Sequence, residues 1–99
     1  MESSKKSALI IGAGPAGLTA GYELLKSQKF STEIIEKDNQ IGGLAKTVNY
    51  KNYKYDIGPH HYVTESKKIE EWWKNIISED KFIKLNRFTR INYNKHFFL

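Results

Sequence analysis

The 99 residues contain no cysteine, which excludes disulfides, thiolate metal sites and a cysteine nucleophile. A 39% apolar share allows a modest core of the size one small domain needs. The net charge of +5 and pI near 9.4 fit anionic partners, phosphates, acidic sugars or nucleic acid, and do not choose among them.

In chain order, Lys5-Lys6 and the apolar stretch after them have the outline of a secretory leader. Gly12, Gly14, Pro15 and Gly17 interrupt that stretch, and it is too short for a membrane span. A soluble, cytoplasmic or membrane-peripheral protein is expected. "SALII" (7–11) reads as a buried strand ending at glycine. "PAGLTAGYELLKSQ" (15–28) reads as a helix, with Leu18, Tyr22 and Leu25 at helical spacing and Pro15 suited to the first turn. "STEIIEK" (31–37) reads as a second strand, which gives the order of a parallel βαβ unit.

"DNQIGGL" is a loop by composition, and "TVNYKNYKYD" reads as a hairpin turning at Lys51-Asn52. "TESKKIEEWWKNIISED" (64–80) reads as a helix capped by Thr64 or Ser66. Ile69, Trp72, Trp73, Ile76 and Ile77 form its apolar stripe, and the spacing expects at least one tryptophan in the core. "RFTRINYNKHFFL" (87–99) reads as two strands around Asn94-Lys95. The chain stops after Phe97-Phe98 with only two parallel strands, which reads as the front of a longer protein.

The chemistry concentrates in "GAGPAG", a G-x-G-x-x-G pattern of Gly12, Gly14 and Gly17 between strand and helix. Gly12 permits a tight turn, Gly14 lets a pyrophosphate reach the backbone, and Gly17 lets helix and strand approach. Pro15 and Ala16 open the helix, whose first amides face the phosphates. Gly21, one turn on, also favours close packing. Glu36 lies 19 positions after Gly17, where a carboxylate accepts from both ribose hydroxyls and repels a 2′-phosphate. Dinucleotide binding follows from this combination.

"EKDNQIGG" resembles the second flavin signature of the FAD-dependent amine oxidase-like superfamily. Monoamine oxidases, protoporphyrinogen oxidases, carotenoid desaturases and UDP-galactopyranose mutases belong to it. The resemblance implies FAD, with Gly42, Gly43 and Leu44 beside its diphosphate and flavin side and Thr47 at a hydroxyl position. Gln40 and Leu44 stand where many members carry Arg, and Lys37 or Lys46 are the cations at hand. "YDIGPHHYVTES" and the closing 87–99 segment resemble the mutase-like sugar-biosynthesis branch. That implies His60 on a loop at the flavin ring, shaped by Gly58-Pro59. His61 takes the motif's variable place, Tyr62 its aromatic place, and Val63 stands where mutases have a second His.

A flavin-contacting imidazole titrates near neutrality, whereas the alternative is an exposed or locally bonded histidine. Adjacent histidines on an extended segment point to opposite faces, and no third ligand has suitable spacing, so no metal site is expected. Arg87, Arg90, Tyr93, Lys95 and His96 form a basic, aromatic tail of the kind that binds single strands, but no nucleic-acid module surrounds them and no such partner is expected.

The expected fold class is α/β: residues 1–99 as the N-terminal βαβ part of a Rossmann-like FAD/NAD(P)-binding domain, followed by hairpins and a helix. The expected function is FAD binding within a flavin-dependent oxidoreductase or sugar-nucleotide mutase acting on a small molecule. The alternatives are a non-catalytic dinucleotide-binding module or a basic nucleic-acid-binding domain. The fragment alone is expected to be inactive, and its open sheet edge to favour self-association.

Overall fold

The computed structural model describes residues 4–58, 61–86 and 90–98. It begins with strand β1 (Lys6–Ile11), helix α1 (Pro15–Lys26) and strand β2 (Phe30–Ile35). β1 and β2 pair in parallel, from Lys6 opposite Phe30 to Ile11 opposite Ile35. A crossover helix is what such a parallel pair requires. The chain divides into two compact units, Met1–His61 and Tyr62–Leu99.

In the first unit, period-2 alternation decides which sheet face is covered. Ala8, Ile10, Thr32 and Ile34 are half-buried, and the residues between them are exposed. Ile11, the extreme case, is 82% exposed. The apolar run that reads as a buried strand is therefore covered on one face only.

α1 meets the sheet through its glycines. Gly21 is buried, and a Cβ there would stand 2.7 Å from Ile34 Cδ1 and 3.5 Å from Ile10 Cδ1. Tyr22 and Leu25, at helical spacing with Leu18, remain 42% and 58% exposed. The side-chain oxygen of Thr32 is buried with no hydrogen-bond partner among the described residues. A hairpin of β3 (Thr47–Tyr50) and β4 (Tyr53–Asp56) follows a single 3-10 turn at Gly43–Ala45. Its two-residue turn places Lys51 and Asn52 at φ 45° and 70°, the left-handed pair that matches strand twist.

The second unit holds α2 (Lys67–Ile76) and a hairpin of β5 (Ile91–Tyr93) and β6 (His96–Phe98). Ser66 caps α2, its hydroxyl accepting from the Ile69 amide at 3.5 Å. The helix is shorter than the 64–80 its periodicity suggests. It ends at Ile76, and a separate 3-10 turn, Glu79–Lys81, follows because Ser78 is already extended. Both tryptophans are half-buried, so neither is the fully buried residue that the apolar stripe implies. Trp72 and Trp73 pack edge to face at 5.1 Å, and Tyr62 meets Trp73 at 5.7 Å. Asn94 and Lys95 form the second left-handed turn, φ 50° and 63°.

Candidate functional site

The end of β1 must release the chain into a helix within three residues, and Gly12 does so at φ +101°. Its amide still donates to the Ile35 carbonyl at 2.7 Å, which extends the parallel ladder by one bond. Gly14 is the N-cap of α1, and it brings no side chain to bond the first-turn amides. Pro15 occupies the first turn, and no acidic residue lies there. That leaves the positive end of the helix dipole open to an anion. A Cβ on Gly17 would run into the Gly12 carbonyl oxygen, so only glycine lets the turn fold back on the helix. Ala16 is exposed beside it.

Glu36 follows β2 directly and turns back to the loop. Its Oε2 accepts from the Ala13 amide at 2.7 Å and its Oε1 from the Asp38 amide at 3.0 Å. These bonds, led by that of Ala13, hold its carboxyl below the ordinary 4.5. The group is therefore an anion at neutral pH, with lone pairs left for hydroxyl donors.

The second glycine pair docks on the first loop. The Gly42 amide donates to the Ala13 carbonyl at 2.8 Å. Gly42 and Gly43 have φ +114° and +56°, backbone that favours glycine. A Cβ on Gly43 would stand 2.9 Å from the Gly14 Cα. Backbone thus faces backbone where a diphosphate needs close approach; a side chain on Gly43 would fill that space, whereas one on Gly42 would press on Lys46. This arrangement fits a dinucleotide.

The remaining expected residues are less engaged. Leu44 is 80% exposed on its 3-10 turn, and Lys37 is exposed. Lys46 is not a free phosphate ligand, because its ammonium pairs with Asp38, whose carboxyl it holds below the ordinary range. Gln40 donates its side-chain N–H to the Thr47 carbonyl at 2.8 Å, and the Thr47 hydroxyl donates to Asp56 at 2.5 Å, so both brace the hairpin. His60, Pro59 and Arg87 lie outside the described residues. His61 is exposed. Among the described residues, no cluster of three or more His, Cys, Asp or Glu is placed to hold a metal, and no helix is long and apolar enough to cross a membrane.

Residue-type reasoning missed two contributors. Ala13 joins Glu36 to Gly42 through its backbone amide and carbonyl alone, and the one sequence signal for it is its place between the two loop glycines. The Asp38–Lys46 pair closes the 37–46 loop, and only its acid-then-base spacing of eight hints at it.

Strand, glycine turn, helix and returning acid define a dinucleotide-binding domain of the Rossmann-like class. Residues 10–76 match the NAD(P)-binding Rossmann-like domain, and the chain belongs to that family. It is 32% identical over 98 residues to an L-amino-acid oxidase of Crotalus adamanteus, covering 98% of this chain and 18% of the oxidase. It is 39% identical to a 4,4'-diapophytoene desaturase of Methylomonas sp over 58% of this chain and 11% of the desaturase. A fatty acid isomerase of P. acnes that produces CLA superposes with a TM-score of 0.56 and 31% identity, over 76% of this chain and 18% of the isomerase. The domain is of the kind that flavin-dependent oxidoreductases carry. The chain spans about a fifth of the length of these relatives or less.

Proposed function

We propose that the chain holds FAD and supplies the dinucleotide-binding part of a flavin-dependent oxidoreductase. The observation that carries this is the Gly42-Gly43 pair docked on the phosphate loop, since a second backbone cradle beside the first suits a ligand continuing past the ADP half. Gly12, Gly14, Gly17 and the first turn of α1 hold the diphosphate, Glu36 takes the ribose, and Gly42-Gly43 admit the flavin side. Flavin supplies hydride acceptance at N5 when bound. The residues of this chain bind and orient it, exclude a side chain from its path and keep an anion at the ribose. The relatives named above, an amino-acid oxidase, a desaturase and a fatty acid isomerase, support a small-molecule substrate for the whole protein.

A second reading, the sugar-nucleotide mutase branch, rests on "GPHHYV" and on His60 as the flavin contact by resemblance. A cytoplasmic location and self-association through the open β1 and β2 edges go with the proposal, and fractionation and light scattering test them.

The test of the cofactor is calorimetric titration of the 99-residue protein with FAD, NAD and ADP in parallel. FAD preference supports the reading. Equal weak binding of all three restricts the site to the ADP half, and a preference for NAD overturns it.

A further inference from the structure

We propose that the backbone of Ala13, through its amide on one side of the Cα and its carbonyl on the other, couples Glu36 to the second glycine pair, making Glu36 a positioning residue for the diphosphate cradle as well as the ribose acceptor. The proposal rests on reading this corner as a dinucleotide site.

Ala13 is the buried apolar residue of the described chain, 2% exposed. Its amide donates a hydrogen bond to Glu36 Oε2 at 2.7 Å, and its carbonyl accepts one from the Gly42 amide at 2.8 Å. The amide belongs to the Gly12–Ala13 peptide group and the carbonyl to the Ala13–Gly14 group, so the two bonds meet at the Ala13 Cα, one tied to the acid after β2 and one to the cradle of Gly42 and Gly43. Gly12 and Gly14 flank that residue, Gly12 bonded to Ile35 and Gly14 to Leu18, and neither brings a side chain that would restrain Ala13 further. The backbone angles at Ala13 thus depend on the partners of its amide and its carbonyl together with the bonds that anchor its two neighbours. Water is a poor substitute for either, since the residue is buried and a buried N–H without an acceptor is costly. The carboxylate is also the stronger partner, because its bond is charge-assisted.

Loss of Glu36 therefore frees the Ala13 amide and loosens the Gly12–Ala13 peptide group, and the shift this allows at the Ala13 Cα is passed to the Ala13–Gly14 group, whose carbonyl is the acceptor of Gly42. A carboxylate that served the ribose alone would have no such effect. It would influence bare pyrophosphate through charge only, and removing a negative charge would tighten that binding.

The experiment measures amide hydrogen exchange by NMR on the whole ligand-free chain, with Glu36→Ala and Glu36→Gln beside the native sequence. In Glu36→Ala, exchange at Ala13 and Gly42 should speed up together by about tenfold while the β1–β2 ladder amides stay protected. Glu36→Gln keeps an uncharged acceptor and should show a smaller rise at the same two amides. In parallel, titration with inorganic pyrophosphate should weaken by about tenfold in Glu36→Ala. Unchanged Gly42 exchange, or unchanged or tighter pyrophosphate binding, overturns the coupling. If Glu36→Ala melts the ladder, Glu36→Gln decides, and acceleration confined to Ala13 then counts against the proposal. Native protein that binds neither pyrophosphate nor ADP sinks the dinucleotide reading and leaves the exchange result to judge the coupling alone.

Discussion

The glycine corner of the first unit and the helix-and-hairpin second unit both order a short chain with little core, by opposite means. In the corner, backbone meets backbone. Gly14 faces Gly43, Gly17 backs onto the Gly12 carbonyl, and Gly21 admits Ile34. In the second unit side chains carry the order, through the Tyr62–Trp73–Trp72 ring contacts and the Lys74 ammonium between Glu70 at 3.0 Å and Glu79 at 3.6 Å. These last pairs are exposed, so they contribute little. A backbone-built region has no slack for an added atom, whereas a ring-built one loses stability in proportion to what is removed. The two should respond differently to single substitutions.

The largest effect is expected in the corner. Gly17→Ala puts a methyl group into the Gly12 carbonyl and should cost about 3 kcal/mol, with pyrophosphate binding lost alongside. Thermal unfolding and titration read both, and a mutant of native stability would show that the corner has slack after all. Trp73→Ala removes the ring that meets both Tyr62 and Trp72, and it should destabilise α2 by about 1–2 kcal/mol, read in the melting of its amide signals.

Lys95→Gly should go the other way. It replaces a residue at φ 63° by the one that adopts this conformation freely, giving about 0.5–1 kcal/mol of extra stability to the β5–β6 hairpin. The smallest effect concerns acid. The folded pKa of Glu36 lies below its ordinary 4.5. Its contribution is therefore present above that value and lost as pH falls through the folded pKa. Native protein should lose thermal stability more steeply than Glu36→Gln over that acid range, and parallel curves would contradict the Ala13 bond.

Much of this could be read from residue types. The βαβ order, the tight turn at Gly12, the close approach at Gly17, both hairpin turns and a cap for α2 at Thr64 or Ser66 follow from local rules that glycine, proline and capping residues obey. What escaped was carried by groups without a hydropathy signature. Close packing at Gly17 and Gly21 is legible, but periodicity also marks Leu18, Tyr22 and Leu25 as a buried stripe, and Tyr22 and Leu25 stay largely exposed in the fold. The Ala13 junction uses only amide and carbonyl, which every residue possesses. Lys46 looks like a spare cation until the loop brings Asp38 to it. Similarly, "SALII" is apolar on both faces, and composition cannot tell that helix α1 covers only one.

The two tryptophans of the chain are neighbours on α2, and the first unit has none. Indole fluorescence is therefore a natural label on the second unit, placed there without labelling chemistry. Titrations with ADP, which does not absorb where indole is excited, can be followed by that emission. A change in emission would mean that occupancy of the glycine corner is felt beyond His61, and a silent signal with heat still released would mean that binding stays within the first unit.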